Sequence, residues 1–557
     1  MTELTEGFAS LPEQQQLSME GVASKSLEDE VFAAAVSAAA HPTRLFLSLG
    51  FMGLRKLPAT LPGLLHILDL SLEANALTEL PPAFGASCPA LTRLNLQQNS
   101  LAQLPASLAQ LPRLREVWLG DNQLRSLAPL EHCSGLQLLV ASKNCLASLP
   151  ELLEGLGSLR QLALAENELT KLPAGFTALS SLRQLTVRKN KLAELPQGFG
   201  SALVLLRELN LSHNNLTELG EGGGGGGVEF GKLTALGVLS LRDNRLQSLP
   251  AAFQGCERLV TLTVWDNELA TLPPHVFERM GSLEKLSLRS NAVALLPPSF
   301  TQLTGLRELW LRNNRISELP TGVGALTALR DLFIRYNRLT AVPQAIGMLK
   351  QLRRLSLSDN QLTALPDEFG SLHNLEQLWL CGNALTALPK VSGLTALREL
   401  SLENNLLKKL PLDFGGLVSL RKLWATENSL AALPASFGSA GEGALSKVWL
   451  NSNKLEQLPE SFCKLTSLQE LALEDNKLGG LPSDFGALTA LRSLWLQDNL
   501  IEQLPPSFKQ LTALHEVTLR GNHFDPAKRV CPLPNSIKFM FQKKTAEEEM
   551  GIDFDGS

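Results

Sequence analysis

The sequence predicts an α/β solenoid of about 21 short repeats with a concave parallel β-sheet. Three observations carry this prediction. One motif recurs along almost the whole chain, its apolar positions alternate with period two over a short stretch, and a second apolar pattern follows each copy. Length therefore counts repeats, and the 557 residues form one elongated array instead of the roughly four domains that length alone suggests.

The motif is LxxLxLxxNxLxxLP, as in Leu306-Arg307-Glu308-Leu309-Trp310-Leu311-Arg312-Asn313-Asn314-Arg315-Ile316-Ser317-Glu318-Leu319-Pro320. Its Asn returns twenty times from Asn75 to Asn522, and twelve of the nineteen intervals are 23 residues. A degenerate copy with Met52 at the Asn position precedes them. This is the leucine-rich-repeat signature. In LxL the two Leu face inward and the x side chain outward, so each repeat supplies one short strand, and successive strands stack in parallel. The Asn offers two N–H donors and an acceptor to backbone groups leaving the strand. The chain then returns through PxxFxxLxxL, where Phe84, Phe176, Phe199, Phe253, Phe300, Phe369, Phe414, Phe437, Phe462, Phe485 and Phe508 predict an apolar spine.

An open solenoid needs covered ends. Residues 1–43 are expected to hold a capping helix, from Ser26 with Asp29 in its first turn to a stop at His41-Pro42. Residues 44–525 are the array, with a flexible polyglycine loop at 220–227 accounting for the one 30-residue interval. Residues 526–557 are expected to supply a C-terminal cap through Val530, Leu533, Ile537, Phe539 and Phe541, then an acidic tail.

Composition excludes several function classes. Fifty Lys+Arg against 55 Asp+Glu give a net charge of -5, with no global footprint for nucleic acid. No stretch is apolar enough to span a bilayer, and the N-terminus lacks a secretory pattern, so a cytoplasmic location is expected. The seven Cys are scattered without CxxC pairs, and the eight His show no ligand spacing, so neither a metal site nor a cofactor is implied. Gly226-x4-Gly231-Lys232 nearly matches a phosphate-binding loop, but Leu233 replaces its Ser or Thr and the repeat register already explains it. Asp residues recurring before the repeat Asn read as solvated strand ends. No catalytic residue is assigned, and a non-enzymatic protein is expected.

The outward strand positions carry the functional signal. Trp118, Trp310, Trp379, Trp424, Trp449 and Trp495 occupy the x of LxL, and Trp265 lies two positions further on, so all seven Trp face the concave side. Trp is enriched at interface hot spots. Arg242, Trp265, Arg289, Arg312 and Arg335 follow one another in the outward position after LxL, beside Trp310, Phe333 and the single tyrosine, Tyr336. This basic and aromatic stripe suits a protein partner with an acidic or mixed surface better than nucleic acid. The competing reading is that aromatic residues on neighbouring strands stack and stiffen the sheet.

The array resembles the Ras group of intracellular leucine-rich-repeat proteins, a 23-residue LPxxF-type class that includes a scaffold joining Ras-type GTPases to protein phosphatase 1 and plant Ras-group-related proteins. The resemblance implies a cytosolic signalling scaffold whose partner is a small GTPase or a phosphatase. It also leaves open a phosphatase regulatory subunit, with Ser536-Ile537-Lys538-Phe539 as a partial docking motif, or a substrate-recognition component of a ubiquitin ligase. The sequence does not specify an oligomeric state.

Overall fold

The computed structural model describes residues 16–18, 45–58, 64–151, 153–220, 228–441 and 443–524. The expected N-terminal capping helix, the polyglycine run at 221–227, and the C-terminal cap, docking motif and acidic tail lie outside the described residues. The chain divides into two compact units, Met1–Leu283 and Glu284–Ser557.

Among the described residues of the first unit, eleven three-residue strands run in parallel from Gln16–Ser18 to Thr261–Thr263. Ten of them are the predicted repeat strands, beginning at Phe46–Ser48. Gln16–Ser18 is an additional strand, paired with Phe46–Ser48, that the repeat pattern does not contain. The described residues of the second unit form eleven strands from Lys285–Ser287 to Glu516–Thr518, all in parallel register with their neighbours. Leu309, Leu332, Leu355 and Leu378 are consecutive partners and all buried. Stacking identical inward Leu in register is the way a three-residue strand, too short to hold a sheet by itself, gains a continuous core.

Each repeat Asn ties the end of its own strand to the backbone of the preceding repeat. Asn337 shows the arrangement: its Nδ2 donates to the carbonyls of Leu311 at 2.9 Å, Ile334 at 3.0 Å and Arg335 at 3.3 Å. Its Oδ1 accepts from the Ile316 N–H at 3.0 Å. Most of these Asn are buried, so the polar groups they satisfy would otherwise be stranded in an apolar layer.

Beyond the strand the chain returns through short 3₁₀ turns such as Gln344–Met348 and Glu460–Lys464, each entered by an extended proline. A 23-residue repeat leaves too little chain for a full α-helix on this side, and a 3₁₀ turn covers the same distance with fewer residues. The predicted Phe spine is fully buried and stacks from repeat to repeat. Phe414 and Phe437 have ring centroids 5.2 Å apart, and Phe437 and Phe462 5.6 Å. Phe230, which keeps the repeat register just after the polyglycine run, belongs to the same spine, 5.2 Å from Phe253.

Candidate protein-binding face

Three outward columns line the strand face of the second unit, and each has its own chemistry. The first, at the start of each strand, is a ladder of ion pairs and hydrogen bonds: Lys285 with Glu308 at 3.1 Å, Arg354 with Asp331 at 2.5 Å, Gln377 with Glu399 at 2.8 Å, Lys422 with Glu399 and Lys447 with Glu470, both at 3.1 Å. Opposite charges on adjacent parallel strands satisfy one another, so this column is largely self-contained.

The second column intersperses aromatic residues with small ones: Trp310, Phe333, Ser356, Trp379, Ser401, Trp424, Trp449, Ala472 and Trp495. The Trp310 and Phe333 rings stack at 6.3 Å, and Phe333 reaches Trp379, two strands away, at 6.4 Å. Ser356 between them is small enough to let the rings meet and is itself fully covered. Trp424 meets Trp449 edge-on at 6.5 Å, and the two form a cluster with Ala472 and Trp495. The Trp495 indole N–H also donates to Glu516 at 3.0 Å.

This packing corrects the reading of every Trp as an open contact residue. Trp379, Trp424 and Trp449 are only 1–2% exposed, and Trp118 and Trp495 are also buried. They lie on the strand face as expected, but adjacent side chains cover them laterally. The stacking alternative describes them better. Trp310 and Trp265 retain partial exposure.

The third column follows the strand and contains Arg289, Arg312 and Arg335, with Tyr336 beside it. Tyr336 is 41% exposed and sits in the left-handed region with φ 55. Two guanidinium groups face its ring, Arg335 at 4.5 Å and Arg312 at 5.8 Å. Arg335 also donates to the Tyr336 hydroxyl at 2.7 Å and to Asp359 at 2.9 Å. It is buried, which works against its charge, but the Asp359 hydrogen bond and charge outweigh that and raise its pKa. Arg335 is thus a fixed strut that positions Tyr336, while Arg312 is more open. Arg354, which the sequence reading did not single out, stacks over Phe333 at 5.6 Å. Its signal was the Asp331–Arg354 pairing across neighbouring repeats, visible only once register is known.

The predicted stripe is divided between the units. Arg242 and Trp265 belong to the first, where the guanidinium lies 3.5 Å from the ring centroid. Arg289, Arg312, Arg335 and Tyr336 belong to the second. In the first unit Trp118 lies one strand from Arg93, which pairs with the buried Asp69, and burial raises the pKa of neighbouring Glu116 despite the Arg93 charge.

Among the described residues no group of His, Cys, Asp or Glu could hold a metal ion. Gly231 and Lys232 lie in the three-residue turn Phe230–Lys232, and a Cβ on Gly231 would come within 2.2 Å of the Ala252 carbonyl oxygen. That glycine serves close packing of repeats, and Gly226 at the start of the motif lies outside the described residues.

Models of leucine-rich repeats match residues 66–124, 205–224, 257–316 and 297–401. Mouse podocan-like protein 1 is 39% identical over 103 residues, 18% of this chain and 18% of that protein. Human volume-regulated anion channel subunit LRRC8E is 44% identical over 66 residues, 12% of this chain and 8% of that protein. The matches therefore span only a minor part of these relatives. Among solved structures, YopM from Yersinia enterocolitica is 26% identical with a TM-score of 0.61, covering 92% of this chain and 94% of that one. The Arabidopsis receptor kinase HAESA, solved with the peptide hormone IDA and the co-receptor SERK1, is 25% identical with a TM-score of 0.63, covering 86% and 87%. The chain has an α/β leucine-rich-repeat solenoid fold. Such domains commonly mediate binding to other proteins. No helix among the described residues is long and apolar enough to cross a membrane.

Proposed function

We propose that the protein is a non-enzymatic cytosolic scaffold of the Ras-group type that holds a signalling protein against the strand face of its second unit. The observation that carries the reading is the exposed Tyr336 ring held between Arg312 and Arg335. A half-exposed aromatic fixed by a buried cation loses little side-chain entropy on binding, as an interface anchor should. The complex of HAESA with a peptide hormone supports the use of such a solenoid for capturing polypeptides. A small GTPase or a phosphatase is the partner class the sequence resemblance suggests.

The test replaces Arg312 by Glu and Tyr336 by Ala in the full chain and measures partner capture from cell extract by quantitative mass spectrometry. Arg335 is left intact, because removing a buried charge from its pair with Asp359 would destabilise the fold as well. Capture of the specific partner should drop at least about tenfold, with the urea midpoint nearly unchanged. Undiminished capture would place the binding surface elsewhere.

A further inference from the structure

In the first unit, small polar side chains floor the strand face around Arg188. Strands Gln184–Thr186, Glu208–Asn210 and Val238–Ser240 pair in register, so Arg188, Ser212 and Arg242, each two residues beyond its strand, stand side by side. Ser212 is short and buried, which leaves a gap between the two arginines. A chain of hydroxyls underlies the gap: Thr263 Oγ1 donates to Ser240 Oγ at 3.0 Å, and Ser240 Oγ lies 2.6 Å from Ser212 Oγ. Asn210 accepts the Ser212 N–H through Oδ1 at 3.1 Å, which leaves its amide N–H groups for another acceptor. The Arg188 Nε is covered by surrounding atoms and has no hydrogen-bond acceptor among the described residues. Arg242 lies over the Trp265 ring, 3.5 Å from its centroid, a contact that engages the face of a guanidinium and not its in-plane N–H groups. No carboxylate stands at the last residue of the six strands from Leu138–Val140 to Thr261–Thr263, or two residues beyond it. Of the nearby acids, Glu166 is paired with Lys189 at 3.3 Å and Asp243 with His213 at 2.5 Å, while Glu208 and Asp266 are exposed in the outer columns.

We propose that this gap binds a phosphorylated serine or threonine of an extended polypeptide. Arg188 and Arg242 stand two strands apart, roughly 10 Å at about 4.8 Å per strand, a span across which two long side chains converge on one tetrahedral anion above Ser212. A phosphomonoester brings nearly two negative charges and three acceptor oxygens, which suit guanidinium N–H groups on either side and hydroxyl and amide donors beneath. A carboxylate has one charge and two oxygens and leaves part of this donor set unused. The polypeptide is argued from what adjoins the gap: Leu138, Val140 and Ala163 are half-buried apolar side chains on the two preceding strands. Val140 is two strands from Thr186, again roughly 10 Å, or about three residues of extended chain. The ligand therefore carries an apolar side chain about three residues from its phosphoryl group. This site lies in the first unit and uses none of the residues around Tyr336, so it stands apart from the proposed function.

The experiment measures fluorescence anisotropy of labelled synthetic peptides on the full chain. Each has a Gly/Ser background, a central phosphoserine and a leucine about three residues before or after it, beside the same peptides with serine for phosphoserine or glycine for leucine. One phosphorylated order should bind at least about tenfold more tightly than its unphosphorylated form and weaken as salt rises. Arg188→Gln should erase that advantage with the urea midpoint unchanged, and Val140→Ser should remove only the gain from leucine. If Arg188→Gln also shifts the midpoint, Arg188→Lys decides: it keeps a charged stem but loses the paired N–H groups, and undiminished binding would overturn the proposal. Equal binding of phosphorylated and unphosphorylated peptides would overturn it, as would an advantage that survives Arg188→Gln or no binding of any peptide. Inorganic phosphate that displaces the peptide at equal concentration, or a leucine without effect, would make the gap a site for free anions and overturn the polypeptide. The Arg312→Glu, Tyr336→Ala variant should bind the phosphopeptide normally. Loss of the peptide in that variant would place it on the second unit and overturn the assignment to Arg188, while loss of partner capture alone leaves both readings standing.

Discussion

Asn337 accepts one backbone N–H and donates to three carbonyls drawn from two repeats. Leucine has the right size but none of these groups. Asn337→Leu is therefore expected to lower stability by about 1–3 kcal/mol, read as a shift in the urea midpoint, and an unchanged midpoint would show that water replaces the lost bonds. The residue before each Asn carries a second constraint. Asp243, Asp266, Asp359, Asp475 and Asp498 all have φ between 51 and 56. Asp and Asn tolerate this left-handed region better than most side chains. Their recurrence, which reads from the sequence as mere solvation, has a backbone cause.

The repeats pack through elements as thin as a single turn, so glycine matters where backbones touch. A Cβ on Gly438 would lie 1.8 Å from the Ser461 carbonyl oxygen, whereas Gly480 has nothing within 4 Å. Gly438→Ala should lower the melting temperature by several degrees, and Gly480→Ala should leave it nearly unchanged; equal effects would contradict the close approach of these turns. The strand face makes a similar distinction. Trp424 is buried beside Trp449, while Trp310 is partly open beside Phe333. Trp424→Ala is expected to cost about 3–5 kcal/mol and Trp310→Ala much less, measured by chemical denaturation. A small loss at Trp424 would return it to the set of open contact residues. Neither difference is visible in the repeat motif, because burial of an outward residue depends on what the adjacent repeat presents at the same register.

At the scale of the whole chain, the buried thiols couple stability to pH. Burial pushes the Cys88 and Cys256 thiols up to about 12, and Cys133 and Cys463 up to about 11. A thiol in the unfolded chain ionises near about 8.5. Below that pH both states hold the proton and these residues do not change stability with pH. Above it the unfolded chain releases protons that the folded chain keeps, so stability falls as pH rises from about 9 towards 11. Urea midpoints should decline over this window, and the decline should shrink when all four are replaced by Ala. A slope that survives the replacement would assign the alkaline sensitivity to other groups. Exposed Cys145 should react with maleimide at neutral pH while these four stay protected.

Most of the architecture was legible from local pattern. The period fixed each strand from Phe46–Ser48 to Glu516–Thr518, the role of the Asn and the Phe spine, because in a solenoid every repeat meets only its neighbours and the same residues recur at each contact. The pairing of Gln16–Ser18 was not legible, since three residues outside the motif carry no periodic signal. The candidate site was legible as a face and as a set of residues, but not as an arrangement. The sequence by itself determined which side chains reach the strand face, through the period-two alternation of LxL. Only the tertiary structure decided that most Trp are covered there and that Arg335 braces Tyr336. Those properties arise from side chains about 23 residues apart, brought side by side by strand register, and no single repeat contains them.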